Sequence, residues 1–373
     1  MKIAIIGAGP IGSYAAYLLA KQGHVVNIYE NHKSIGAPIQ CTGLLTKDLD
    51  QFNLKKQEFL VDTLTKVKVN SKNQSTKIDQ HEYLVCRTKF DNHFANLAKQ
   101  AGAKIHLSHT FIGKEENISH SNSNTSTKPT IIIKNTKDNI TIKQTPDIII
   151  GAAGPLSPIA KAFNFYEKSR ENYFGIQAIV EGQFEQGLID TYFSKDICPG
   201  LFAWIVSESK TTARVGVATK SNSKHYFDKF LKQNHFKAKE IQAGIIPIYN
   251  PKQKLNQDNI YLVGDSSTFV KATTLGGLIP GLMQAKALAT SINTNQDYKK
   301  LCKPIIRKLK THLQIRKILD NFSDKDFNYM IKLTSQPRIK KVLQKHTREN
   351  PLSLLMELAI KEPRFAYFVK NLI

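Results

Sequence analysis

The apolar positions of this 373-residue chain change period several times, and the changes divide it into blocks. Ile3 to Ile6 is a continuous apolar run, as in a strand buried on both faces of a parallel sheet. Residues 13–22 are rich in Ala and Leu and read as a helix, and Val25 to Tyr29 is a second buried strand. Residues 57–86 then alternate like half-buried strands, with Leu64, Val67, Val69, Ile78, Tyr83 and Val85 at the apolar positions. Phe90, Phe94, Leu97, Ala98 and Ala101 mark one face of a helix that Gly102 stops. Ala103–Phe111, Thr130–Lys134, Ile140–Lys143 and Asp147–Ile150 read as strands, with a polar, low-complexity loop at 113–130. Residues 172–246 hold short aromatic-rich strands: Tyr173–Val180, Asp190–Phe193, Gly200–Val206 and Ala213–Ala218. A further strand lies at Asn259–Asp265 and a glycine-led helix at 275–292, and from 297 on the pattern is helical.

These blocks predict an α/β protein: a Rossmann-type nucleotide-binding domain with an inserted antiparallel β-sheet and a helical C-terminal region. The first part of the nucleotide domain spans 1–170 and carries a β insertion at 57–86. The antiparallel substrate sheet spans 171–246, the nucleotide domain returns at 247–296, and basic helices fill 297–373.

Lys and Arg total 53 against 30 Asp and Glu, a formal net charge of +23. A surface of this sign suits an acidic partner, whether nucleic acid, anionic lipid or an acidic protein. Residues 299–348 hold 15 Lys or Arg against Asp320, Asp324 and Asp326, so more than half of the excess lies there. Aromatic residues for base stacking are sparse in that segment (Phe322, Phe327 and Tyr329), and no nucleic-acid partner is expected. Pro351–Met356 and Phe365–Phe368 add apolar groups, which together with the basic helices predict peripheral binding at the inner face of the cell membrane. The longest apolar stretch, Thr274–Ile292, carries Gln284 and Lys286 and is not expected to span a bilayer. No signal-peptide pattern precedes the first strand. Cys41, Cys86, Cys198 and Cys302 are scattered without Cys-x-x-Cys spacing, which fits a reducing, cytoplasmic setting and no metal site.

The first thirty residues carry the chemistry most plainly. Gly7, Gly9 and Gly12 directly follow the first strand and open the first helix. In this setting one glycine permits the tight turn, the next lets backbone approach a pyrophosphate, and the third lets helix and strand pack closely. The helix N-terminus offers free N–H groups and a positive dipole end to phosphate. Glu30 ends the second strand, where a carboxylate accepts hydrogen bonds from a ribose diol. The ligand is an ADP-containing dinucleotide; the motif does not separate FAD from NAD.

Four separated stretches then agree: Gly7–Gly12 with Glu30, Arg87-x-x-Phe90-Asp91, Gly151-Ala-Ala-Gly154, and Gly264-Asp265. Together they resemble the flavoproteins whose fold is that of p-hydroxybenzoate hydroxylase. Within them the chain is similar to the archaeal geranylgeranyl reductases, which saturate isoprenoid chains of membrane ether lipids. That likeness is carried by Ile35-Gly-Ala-Pro38-Ile-Gln-Cys41-Thr42-Gly43-Leu44, Pro199-Gly-Leu-Phe-Ala-Trp204, Arg214-Val-Gly-Val, and Gly264-Asp265 followed by Thr273-Thr-Leu-Gly276-Gly277-Leu278. It runs from residue 1 to about 292. The chain departs from the family at Ala153, where a carboxylate is usual, at Ser266-Ser267-Thr268 and at Ala272.

The resemblance implies FAD as cofactor. Ile11, Gly12, Glu30, Cys41, Thr42, Arg87, Asp265, Gly277 and Leu278 would line it, and the backbone near Phe111 would meet the adenine. Gly43, Gly264 and Gly276 belong to the same motifs. Asp265 would bind the ribityl side, and the helix after it would point its N-terminus at the flavin pyrimidine.

Reducing an unactivated alkene takes a hydride, which reduced flavin supplies, and a proton from an acid beside the double bond. Cys41 is the acid expected from the loop. Tyr192, Phe193, Phe202 and Trp204 are the expected aromatic wall of a prenyl-chain tunnel. No second dinucleotide motif is present, so the electrons are expected from NAD(P)H or from an acidic carrier such as ferredoxin. A flavin monooxygenase of the same fold, a basic RNA-binding flavoprotein and a non-catalytic FAD-binding protein are the alternatives.

Overall fold

The computed structural model describes residues 1–115 and 128–372, so most of the polar loop expected at 113–130 lies outside the described residues. Lys2–Ile6, Val25–Glu30 and Lys104–Leu107 form one half of a six-stranded sheet, and Ile148–Gly151, Ile260–Leu262 and Asn256–Gln257 the other. All neighbours are parallel except the edge pair 256–257 with 260–262. Lys2–Ile6 sits between its two parallel partners, Ile3 opposite both Ile148 and Val26, which explains its unbroken apolar run.

Nine α-helices lie in the described residues. They are α1 (Pro10–Ala20), α2 (Arg87–Gln100), α3 (Pro158–Ala162), α4 (Ser223–Gln233) and α5 (Leu278–Thr294). The C-terminal region adds α6 (Tyr298–Asp320), α7 (Asp324–Thr334), α8 (Pro337–Lys345) and α9 (Pro351–Lys361). The helices α1, α2 and α5 cover one face of the parallel sheet around a core containing Tyr14, Phe90, Phe94 and Leu282. The other face is closed by α3 and by a three-stranded sheet of His109–Lys114, Ile131–Asn135 and Ile140–Gln144. The single strand expected at 103–111 is therefore two strands in two sheets. Ser108, at φ 58°, turns the chain between them.

The second large sheet has eight strands and a different make-up from the one expected. Its order is Ala238–Pro247, Asn172–Glu181, Thr212–Thr219, Ala203–Ser207, Leu188–Tyr192, Leu60–Asn70, Ser75–Val85 and Leu44–Thr46. The strands of 57–86, read as an insertion of the nucleotide domain, are thus two of the eight strands of this sheet. The seam is parallel, running from Leu188 opposite Lys66 to Tyr192 opposite Asn70, so the sheet is mixed rather than antiparallel. Alternating apolar residues define a half-buried strand but not its partner, and a parallel partner arrives only through a long crossover.

The C-terminal helices build two small cores of their own. Phe322, Phe327, Leu333 and Phe368 form one, and Ile339, Val342 and Leu358 the other. Phe368, expected at a membrane surface, is buried against the Phe322 ring at 4.9 Å. Not every basic residue faces outward either: Arg316 is buried beside Asp320, and Arg348 pairs with the buried Glu82. No helix among the described residues is long and apolar enough to cross a membrane.

Candidate functional site

One continuous cavity of about 990 Å³ opens at the carboxyl ends of the parallel strands and runs between the two large sheets to α7 and α8. The cofactor residues expected from the sequence border it, with one exception. Gly12 lies behind the loop, where a Cβ would collide with the Gly7 carbonyl and the Ala152 side chain, so its task is close packing. Gly7 turns the chain at φ 109°, with Ala152 O 2.5 Å from where a Cβ would stand. A Cβ on Gly9, by contrast, would project into open cavity and meet nothing within 4 Å.

Two helix N-termini face this space. Neither α1, which starts after Gly9, nor α5, which starts after Gly277, receives a side-chain cap. Each presents unsatisfied N–H groups and roughly half a positive charge. Glu30 is buried and oriented by the loop itself: Ala8 N–H donates to its Oε2 at 2.7 Å, and His32 N–H donates to Oε1 at 3.0 Å. Phe111 lies at the same end, in the three-stranded sheet that packs against Tyr29, whose ring stacks on His106.

Arg87, at the start of α2, forms a bidentate pair with Asp91, both bonds at 3.0 Å. Burial works against its charge, but Asp91 and the Cys41 sulfur outweigh it and raise its pKa further, so the guanidinium stays charged on the cavity wall. Asp91 is buried and Arg87 half-buried, so the pair presents a fixed cation to the cavity.

Asp265 has no hydrogen-bond partner for its carboxylate among the described residues. Protein closes round it except on the cavity side, and burial pushes its pKa up to about 6, partly offset by Arg87. Its Oδ1 lies 2.9 Å from the place of a Cβ on Gly277, so a side chain there would displace it.

Cys41 lies on the loop between the two sheets. Gly43 N–H points at its Sγ at 3.3 Å, and Arg87 lies on another side. Arg214 anchors this loop from behind: it donates to the carbonyls of Thr42 and Val85, and its charge is met by Glu208 at 2.6 Å. The Thr42 hydroxyl donates to Gln177, which donates to Gln242, a polar ladder along the sheet wall.

The aromatic wall is partly as expected. Phe193, Phe202 and Trp204 line the cavity, Phe202 lying 5.3 Å from Phe193 and 6.3 Å from Trp204. Tyr192 does not. Its hydroxyl donates to Asp190 at 2.9 Å and its ring packs edge-on against Phe230. The two-residue period is the reason: Ile189, Thr191 and Phe193 face the cavity, so Asp190 and Tyr192 face away. The expectation that placed both Tyr192 and Phe193 on one wall broke that period.

Other wall residues had no signal in the reading of the sequence. Lys271 forms a buried ion pair with Glu349, and Arg348 pairs with Glu82 at 2.5 Å. Met330, Ile331 and Leu343, from α7 and α8, close the far arm opposite Val67, Val69 and Ile78. Glu349 had no local mark, because its role is set by where the C-terminal helices dock.

These features fit FAD. The open space at Gly9 and the uncapped α1 suit a pyrophosphate, the oriented Glu30 a ribose, and the unpartnered Asp265 a polyol hydroxyl. The uncapped α5 favours negative charge on a reduced flavin ring.

Residues 5–48 match the NAD(P)-binding Rossmann-like domain family. The digeranylgeranylglycerophospholipid reductase of Methanocaldococcus jannaschii is 25% identical over 87% of this chain and 88% of its own length. Digeranylgeranylglycerophospholipid reductase 3 of Methanosphaera stadtmanae is 27% identical over 92% of this chain and 93% of its own. Among solved structures, a geranylgeranyl bacteriochlorophyll reductase-like protein from Thermoplasma acidophilum superposes with a TM-score of 0.82 at 19% identity. It covers 100% of this chain and 99% of its own. A flavin-dependent halogenase shares the fold at a TM-score of 0.69 and 16% identity, over 98% of this chain and 78% of its own. The fold, the cofactor site and the likeness along nearly the whole chain agree: this protein is an FAD-dependent oxidoreductase, similar along its length to the geranylgeranyl reductases.

Proposed function

We propose that this reductase saturates carbon–carbon double bonds of isoprenoid chains carried by membrane ether lipids. One observation supports this above the rest. The cavity does not end at the cofactor residues but continues into an arm walled by Val67, Val69, Ile78, Met330, Ile331 and Leu343. An aliphatic chain gains about 0.8 kcal/mol for each CH₂ it buries in such an arm, whereas a polar aromatic substrate would leave its polar groups unpaired. Bound FAD supplies the hydride; Glu30, Arg87, Asp265 and the two helix N-termini hold and orient it. Phe193, Phe202 and Trp204 present ring faces toward a carbon that gains positive charge during reduction. The electrons come from NAD(P)H or from an acidic carrier attracted by the basic surface.

Such a substrate reaches the enzyme from a bilayer. On α9, Leu352, Leu355, Met356, Ala359 and Ile360 are all exposed, an apolar stripe at helical spacing. Lys361 and the basic faces of α6 and α8 flank it. This helix lies on the surface of an anionic membrane in our reading, with the stripe among the headgroups.

The test is turnover with a geranylgeranyl-bearing ether lipid in detergent, with dithionite as reductant and product mass as readout. Each reduced bond adds two hydrogens. Met330→Trp, which fills the arm, should keep the flavin spectrum and lower kcat/KM at least about tenfold. Loss of flavin without an effect on turnover per bound flavin would mean that the arm is not the substrate site. Reduced, flavin-loaded wild type that leaves every lipid double bond untouched would sink the proposal.

A further inference from the structure

An alkene needs a proton as well as a hydride, and the cavity offers few groups able to give one. Arg87 and Arg348 do not release protons. His32, His109 and Glu30 stand at the nucleotide end, and Asp265 faces the cofactor. Asp91 is engaged by Arg87. Tyr29 and Lys161 lie on elements of the nucleotide end, and Glu349 is the ion-pair partner of Lys271. Near the junction of the cofactor end and the apolar arm, Cys41 and Lys271 are left. The neighbours of the Cys41 sulfur are the Gly43 N–H and the Arg87 guanidinium, both donors, so the sulfur is engaged as an acceptor.

Lys271 is different. It is buried, 3% exposed, yet on the cavity wall. Its side chain lies across Gly276 on the turn that leads into α5. A Cβ at position 276 would stand 2.9 Å from Lys271 Cε and 3.2 Å from Nζ, so the glycine leaves the lysine its place. The ammonium is therefore one residue from the uncapped N-terminus of α5 at Gly277. Thr274 Oγ1 is beside it, 3.6 Å from the same point, buried and without a partner. The charge is held by Glu349, which also accepts from Thr46 at 3.3 Å.

We propose that Lys271 donates the proton that completes alkene reduction and that Glu349 positions and poises it. This rests on the reading of the cavity as an alkene-reducing site. In the step, the hydride from the reduced cofactor carries both electrons to one alkene carbon. The other carbon takes the proton from Lys271 Nζ, the π bond is lost, and two C–H bonds form. Lys271 is left as the neutral amine and regains its proton from water entering the cavity. The cofactor, oxidised by two electrons, is reduced again by the electron donor.

The surroundings make the ammonium a better acid than a surface lysine. Burial lowers its pKa, Arg348 lowers it further, and Glu349 and Glu82 oppose the shift. His312, bonded to Thr273 at 2.7 Å, is pressed down to about 3 by burial and by Lys271, and so adds no charge at neutral pH.

Lys271→Arg is the decisive variant, because it keeps the charge and the partner of Glu349 but cannot release a proton. The FAD-loaded variant should retain its flavin and melting temperature, accept electrons from dithionite normally, and saturate the lipid about 100-fold more slowly. Wild-type turnover should fall on the alkaline side at a pH below the ordinary lysine range. Glu349→Gln should move that limb to lower pH, since it removes the charge that holds the proton. NMR of ε-¹³C-lysine-labelled holoenzyme supplies a readout apart from turnover: one lysine signal absent from Lys271→Arg should titrate below the others. Wild-type turnover that Lys271→Arg leaves within twofold, or that Cys41→Ser abolishes while Lys271→Arg does not, overturns the proposal alone. Wild type that reduces no alkene overturns the proposed function and this proposal with it.

Discussion

The two ends of the cavity are built by different means. At the nucleotide end, the contacts come from a strand, a glycine turn, a helix start and Glu30, all within the first thirty residues. Backbone does most of the work there, and the side chains that matter are small or absent. At the far end, the wall comes from Leu60–Asn70, Ser75–Val85, α7 and α8, segments up to about 280 residues apart in sequence. There side-chain shape and helix docking decide everything. The first end tolerates almost no substitution at Gly7 and Gly12, where a Cβ meets backbone. The second tolerates hydrophobic exchange as long as volume is kept. One end therefore fits the cofactor, and the other leaves room for variation.

Three perturbations separate these ends, and the largest effect is expected at the glycine turn. Gly12→Val would drive a branched side chain into the Gly7 carbonyl and Ala152, neither of which can move aside cheaply. We expect a stability loss of about 3 kcal/mol or more and a protein that purifies without flavin. Thermal unfolding and the visible spectrum check this; a yellow, stable variant would remove the claim that backbone contact governs this end.

Asp265→Asn should have a smaller and two-sided effect. FAD affinity should fall by about ten- to a hundredfold, since a charge-assisted hydrogen bond is weakened. Stability of the flavin-free protein should move the other way. The folded-state pKa of about 6 exceeds the usual 3.8, so between these values the folded state binds the proton more tightly than the unfolded chain. The carboxyl therefore makes the flavin-free protein less stable as pH rises from about 4 to about 6, and the full penalty persists at pH 7. Removing it should stabilise that form at pH 7 by about 1–2 kcal/mol, after screening from the open cavity side, and by little at pH 4. Denaturant unfolding of both proteins at the two pH values decides it. An equal difference at pH 4 and pH 7 would show that Asp265 is not the group responsible.

The smallest effect is expected on the outer surface of the far end. Leu355→Glu or Ile360→Glu on α9 should leave the flavin spectrum and melting temperature unchanged, because both residues are exposed. Flotation with anionic vesicles at low salt should drop several-fold for each, and raising the salt should weaken wild-type binding as well. Unchanged flotation would place membrane contact elsewhere or remove it.

Much of the fold was legible because its signals are local. The buried strand before Gly7, the uncapped helix after it, the acid at position 30 and the Gly264-Asp265 turn each declare themselves within a few residues. The apolar stripe of α2 does the same through helical period. The far end was not legible in that way. Alternation marked 57–86 and 172–246 as strands, but nothing in a two-residue period names a partner, and the parallel seam between Leu188–Tyr192 and Leu60–Asn70 joined them. The same period, applied strictly, would have turned Tyr192 away from the wall that Phe193 lines.

What the sequence by itself determined was the chemistry available: a dinucleotide cradle, a carboxylate at the end of the second strand, an aspartate after the returning strand, and a strongly basic C-terminal region. Short-range sterics and hydrogen bonding settle those features, since glycine turns and helix starts depend only on neighbours. Only the tertiary structure decided which of the basic residues are structural, and where the apolar arm of the cavity runs. Lys271 lies in the interior, and Arg348 is half-buried on the cavity wall, because Glu349 and Glu82 stand there to neutralise them. A buried charge is stable only with its partner in place, and that partnership exists once α6 to α9 have docked over the eight-stranded sheet.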